Sequence, residues 1–168
     1  MSEAVQDRVI ALYEHLLESQ PEIKFVNMIW YGGEPLMRKQ IIYDLADRLM
    51  DISISAGVSY TGTMVSNGFL MTREVAEKLF INGLRTVQIT LDGSQPFHDA
   101  RRHLLSASKK GTYQRIMENI ASWIDAVPLS VQVRVNIDER NKDAVTGLLD
   151  DLVDRGLAPA EAASAARR

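Results

Sequence analysis

Four short segments rich in β-branched and aromatic residues alternate with longer segments of helical period, and this alternation confines the chain to an α/β architecture. Residues 23–30 (IKFVNMIW), 58–66 (VSYTGTMVS), 86–91 (TVQITL) and 129–137 (LSVQVRVNI) read as strands. Between them apolar residues recur at intervals of three and four. In residues 5–17, Val5, Val9, Leu12, Tyr13, Leu16 and Leu17 fall on one helical face, with Ser2 placed to cap the start and Pro21 to stop it. A second helix spans about 35–56 and turns Leu36, Ile41, Ile42, Leu45, Leu49 and Ile52 inward until Gly57 ends it. Thr72 can cap a third over 73–81, closed by Gly83; a fourth covers about 112–126 and packs Ile116, Ile120 and Trp123; a last runs over about 142–155. Residues 94–111, holding Pro96, His98, Arg101, Arg102 and two lysines, read as a polar loop.

Parallel neighbours need crossover helices, so strands alternating with helices predict a parallel sheet. The nearly unbroken apolar run over 23–30 predicts a strand buried on both faces. Residues 1–157 read as one domain. The Ala-rich residues 158–168, with two terminal arginines and no apolar stripe, read as an unstructured end.

The 168 residues include no cysteine, which removes disulfides, thiolate metal sites and cysteine nucleophiles from this sequence. A net charge of −3 with dispersed basic residues gives no footprint for nucleic acid. No apolar run reaches membrane-spanning length, so no membrane partner is expected. Residues 1–7 (MSEAVQD) lack the charged start and apolar stretch of a signal peptide, so a cytoplasmic location is expected.

In parallel α/β folds, ligands sit where the loops converge at the C-terminal ends of the strands. All four strands here end in polar motifs: Gly32-Gly33-Glu34-Pro35, Ser66-Asn67-Gly68, Asp92-Gly93-Ser94, and Arg134 with Asn136. Each alone can be a turn or a solvated side chain. Together they suit a small zwitterion. Paired glycines admit a ligand close to the backbone, Arg134 can fork onto a carboxylate, and Asn67, Ser94 and Asp92 can bond ribose hydroxyls. An unrelated α/β enzyme using Asp92 and His98 as base and acid is the weaker alternative.

These residues resemble the radical S-adenosylmethionine (radical SAM) superfamily. Residues 30–36 (WYGGEPL) resemble its GGEP motif, and 65–72 (VSNGFLMT) its third-strand segment. Residues 87–93 (VQITLDG) with 98–102 (HDARR) resemble its fourth-strand region, and Gly111-Thr112-Tyr113, Asn119-Ile120 and 134–137 (RVNI) also fit. The SPASM-type subgroup that modifies peptides and proteins is the most similar. The resemblance covers roughly residues 2–157 and implies a partial (βα)6 TIM-like barrel. It implies S-adenosylmethionine held by Gly32, Gly33 and Glu34 at its amino group and by Ser66, Asn67, Asp92 and Arg134 at its carboxylate and ribose. It further implies a [4Fe-4S] cluster whose electron cleaves the sulfonium to a 5′-deoxyadenosyl radical, and a peptide or protein substrate.

The sequence departs from that pattern in one respect that matters chemically. The family's cluster cysteines lie in a Cys-x3-Cys-x2-Cys loop ahead of the first helix, and residues 1–7 match the start of that helix. The first strand, the sixth strand and the C-terminal extension are therefore expected to be absent from these residues. The expectation is a fragment that does not cleave the cofactor alone and self-associates through exposed sheet edges. A binding module that keeps part of the cofactor pocket, or one subunit of a split enzyme, is the alternative.

Overall fold

The computed structural model describes residues 1–102 and 111–159. Helix α1 (Glu3–Ser19) leads into β1 (Phe25–Trp30). A 3-10 turn (Pro35–Arg38) opens α2 (Lys39–Ser55), which returns to β2 (Ser59–Ser66). Then follow α3 (Arg73–Ile81), β3 (Leu84–Thr90), α4 (Gln95–Arg101), α5 (Tyr113–Trp123), β4 (Ser130–Arg134) and α6 (Val145–Asp154). The strands form one sheet in the order β1-β2-β3-β4, every pair parallel, with a register shift between Gly62 and Thr63. This is the expected α/β fold of a partial TIM-like barrel, with β1 and β4 at the sheet's edges.

The register assigns the two faces. Trp30, Met64, Val87 and Val131 pair across one row, and Met64 and Val87 are wholly buried beneath the helices. The neighbouring row is Ile29, Thr63, Thr86 and Ser130, on the other face. That face is open: Ile29 is 60% exposed, and Asn27 Oδ1 accepts from Thr61 Oγ1 (3.3 Å) and Thr63 Oγ1 (3.1 Å). Burial on both faces, predicted for residues 23–30, is therefore not found. Phe25 and Ile29 are exposed because the helices cover one side of the sheet only.

Two apolar clusters hold the helices down. The larger joins β2 and β3 to α3, α5 and α6 through residues such as Val75, Ile89, Ile116, Trp123 and Leu148. The smaller joins α1 to α2 through Ile10, Tyr13, Leu17, Leu45 and Leu49. The buried face of α1 is thus turned from the predicted one, and Leu12 stands 66% exposed. Two polar contacts fix that rotation: Tyr13 Oη lies 2.7 Å from Ser53 Oγ, and Arg48 pairs with Asp7 at 3.0 Å. Ser2 precedes α1 but accepts with its backbone carbonyl, not its side chain.

A helix absent from the sequence reading, α4, lies in the segment expected to be a loop. Ser94 accepts from Phe97 N and His98 N, and Pro96 occupies the first turn, where its missing N–H costs nothing. The remainder of that segment, 103–110, lies outside the described residues, as does 160–168 of the expected unstructured end. Leu157 and Ala158 pack against the larger cluster, after Leu157 N closes α6 by donating to Leu152 O at 2.8 Å.

Trp123 is the largest fully buried side chain, and its Nε1 donates to Met71 O at 3.1 Å. Replacing it with alanine opens a cavity and orphans that carbonyl. Urea denaturation of Trp123→Ala should show a loss of about 3–5 kcal/mol.

Candidate functional site

The C-terminal ends of the strands form a rim, and each strand delivers one loop to it. A strand that ends at a loop leaves backbone N–H groups without ladder partners. Here two carboxylates take them. Glu34 Oε1 accepts from Leu36 N (3.1 Å) and Ser66 Oγ (2.9 Å), and Oε2 accepts from Asn67 N (2.8 Å). One side chain therefore ties the loop after β1 to the loop after β2.

The second loop is braced from below. Ser66 Oγ accepts from Gly68 N (3.0 Å), and Asn67 Oδ1 accepts from Phe69 N (2.9 Å). Buried Asn119 on α5 donates its amide to Gly68 O (3.0 Å) and Phe69 O (2.8 Å). Gly68 has φ +76°, and a Cβ there would lie 3.0 Å from Ile89 Cγ2 and 3.1 Å from Ile116 Cγ2. Only glycine meets both demands.

Asp92 plays the matching part after β3. It is 3% exposed, with Oδ2 accepting from Arg102 Nε at 2.7 Å and Oδ1 from Asn136 N (3.1 Å) and Asn136 Nδ2 (3.0 Å). Burial raises its pKa, but the hydrogen bonds and charge of Arg102 and the bonds from Asn136 outweigh it, leaving the carboxyl below its ordinary value. Asn141 Nδ2 donates to both Asp92 O (2.9 Å) and Asn136 O (2.8 Å). These bonds draw Asn136 out of the ladder, so β4 stops at Arg134 although the apolar pattern continues to Ile137.

His98 is wholly buried. Its Nδ1 accepts from Asp92 N at 3.2 Å, so the neutral ring carries its proton on Nε2, 3.0 Å from Thr112 Oγ1, which donates onward to Arg102 O at 3.0 Å. Asp99 Oδ1 accepts from Thr112 N (2.8 Å) and Tyr113 N (2.9 Å), filling the start of α5. A Cβ on Gly111 would overlap the Asp99 carboxylate. Arg101 pairs with Asp138 at 2.7 Å. Residues 98–102 therefore join α4 to β3, α5 and the loop after β4. Asp92 and His98 form a structural tie, since both ring nitrogens of His98 are engaged within the chain.

Of the residues singled out in the sequence, Glu34, Ser66 and Asn67 are brought into direct contact. Asp92 meets Asn136, two residues beyond Arg134. Thr90 and Arg134 are register partners, so they share the open face of the sheet at its rim end. Arg134 is exposed, and among the described residues no hydrogen bond or ion pair engages its guanidinium. Gly32 and Gly33 are exposed too, and a Cβ on either would meet nothing within 4 Å. Gly32 holds φ +158°, which a side chain would strain, whereas at Gly33 nothing among the described residues requires glycine. Asn119, Asn141 and Asp99 carry much of the rim's order. Asn119 and Asp99 fell within the motif segments, but nothing in their spacing marked their partners.

A match to a known family accords with this architecture: residues 4–152 correspond to the radical SAM superfamily, and the chain belongs to it. The chain is 23% identical over 133 residues to the AdoMet-dependent heme synthase of Methanosarcina barkeri (strain Fusaro / DSM 804), covering 79% of this chain and 35% of that protein. It is 33% identical over 105 residues to the GTP 3′,8-cyclase of Rhizobium leguminosarum bv. trifolii (strain WSM2304), covering 62% and 27%. Among solved structures, native anSMEcpe with bound AdoMet and Kp18Cys peptide superimposes with a TM-score of 0.70 at 15% identity, over 90% of this chain and 40% of that one. Native anSMEcpe with bound AdoMet gives 0.69. The chain thus spans well under half the length of each.

Two tests address the rim. Glu34→Gln replaces an acceptor with a donor facing N–H groups and should cost about 1–3 kcal/mol in urea unfolding. Burial pushes the pKa of His98 below the ordinary 6.5. The unfolded chain takes up a proton there while the folded chain does not, so stability should fall as pH drops through and below that value. In unfolding free energies measured from pH 7 to 5, His98→Gln should flatten this dependence.

Proposed function

We propose that the rim holds S-adenosylmethionine, and that the chain is the cofactor-binding portion of an enzyme acting on a peptide or protein, of the SPASM type. The observation that supports the cofactor reading is the loop tip at Gly32 and Gly33, exposed at the rim with no described atom within 4 Å of a Cβ placed on either. There the exposed backbone can accept from the ammonium of the methionine portion. Arg134, free at the far side of the rim, suits the carboxylate. Glu34, Ser66 and Asp92 contribute by fixing the loops, since their side-chain oxygens are bonded within the chain; Asn67 keeps its amide nitrogen for a ribose hydroxyl. When bound, the cofactor supplies the sulfonium carbon that the family's chemistry acts upon. The peptide substrate is supported by the likeness to anSMEcpe, whose structure contains a peptide.

The residues present do not fit an iron–sulfur cluster. Such clusters are held by thiolates, and this sequence has none. Among the described residues, no group of three or more His, Asp or Glu side chains could hold a metal ion. No step through a cluster is therefore assigned to this chain. The lack of cysteine favours a second reading: a binding module, or one member of a pair whose other chain brings the cluster. Among the described residues no helix is long and apolar enough to cross a membrane. The edges at β1 and β4 support self-association, which light scattering would detect as growth with concentration.

Isothermal titration with S-adenosylmethionine should give saturable binding, lost in Gly33→Val with the melting temperature unchanged. Equal binding by the variant would remove the assignment. Anaerobic incubation of the chain with iron, sulfide and S-adenosylmethionine should yield no 5′-deoxyadenosine; clear product would refute the inactivity.

A further inference from the structure

A groove lies behind the rim, on its outer side, between the 3-10 turn after β1, the loop after β2 and the first turn of α5. Its cavity is about 430 Å3. Leu36 and Phe69 form its inner wall and Met37 and Leu70 its lips, with Lys39 and Arg115 at the edges. Met37 is 72% exposed and Leu70 38%, so apolar surface here lies beside two cations. Among the described residues no acidic side chain lines the groove. Among the described residues neither cation has an ion pair, so both charges are available to a partner.

We propose that this groove docks a short acidic segment of a partner polypeptide, an apolar side chain entering between Met37 and Leu70 while flanking carboxylates meet Lys39 and Arg115. Charge complementarity selects that occupant. A bare anion would leave the apolar wall wet, and an uncharged apolar segment would leave two cations unanswered. The Met37 thioether adapts to side chains of differing shape. The site is separate from the cofactor rim, though Phe69 and Leu36 belong to the same loops as Asn67 and Glu34. Docking therefore does not require S-adenosylmethionine.

The whole chain, with 13C-labelled methionine methyl groups, provides the test. The probe is a synthetic peptide in which glutamates flank a leucine and a phenylalanine; a control carries lysine in place of glutamate. The Met37 signal, identified by its loss in Met37→Leu, should shift saturably with the acidic peptide. The buried Met64, Met71 and Met117 should stay in place. Added salt should weaken binding. Lys39→Glu combined with Arg115→Glu should lower affinity for the acidic peptide about tenfold and admit the lysine peptide. Both positions are exposed, so folding should survive the exchange. An unmoved Met37, an equal response to both peptides, a response to inorganic phosphate alone, or a shift that follows protein concentration without peptide would each overturn the proposal. All of these readings are independent of whether the rim binds S-adenosylmethionine.

Discussion

Where a parallel strand stops, its last amides must find acceptors, and in this chain two inward-pointing carboxylates meet that need. Glu34 serves the first pair of loops and Asp92 the second. Glu34 is aided by a hydroxyl and backbone amides, while Asp92 sits beside a guanidinium that compensates its burial. Without them, four loops of different length would have no common shape. The remaining rim residues take their positions from these two ties: Asn67 from Glu34, and Asn136, Asn141 and His98 from Asp92 or its backbone.

The strand and helix order was legible because periods of two and of nearly four are strong signals in segments of this length. What the pattern could not give was which face lacked a covering layer. Residues 23–30 look uniformly apolar, yet Asn27 among them marks the wet face, in line with Thr61 and Thr63 on the next strand. Helix α1 misled for a related reason. It carries apolar residues over a wide arc, and contacts with Ser53 and Arg48, far off in sequence, choose the buried part. Helix α4 was hidden by its shortness and its polar composition.

The site was legible as a set of loop ends and illegible as a division of labour. Residue types pointed to ligand contact for Glu34, Ser66 and Asp92; that their side chains also hold the loops together was not visible in them. Glycine told more than charge did. Gly68 is required by the methyl groups of Ile89 and Ile116 and Gly32 by its backbone angle, while Gly33 meets no neighbour among the described residues. Distinguishing those two kinds of glycine takes three-dimensional neighbours, which a single sequence does not contain.

The open face of the sheet has a thermodynamic corollary. Asn27, Thr61, Thr63, Gln88 and Gln132 lie along it, so polar groups share this face with the exposed Phe25 and Ile29. Whatever settles there trades hydrogen bonds with solvent for hydrogen bonds with protein. Contact with the polar rows should be enthalpy-led, while covering Phe25 and Ile29 should add the negative heat-capacity change of apolar burial.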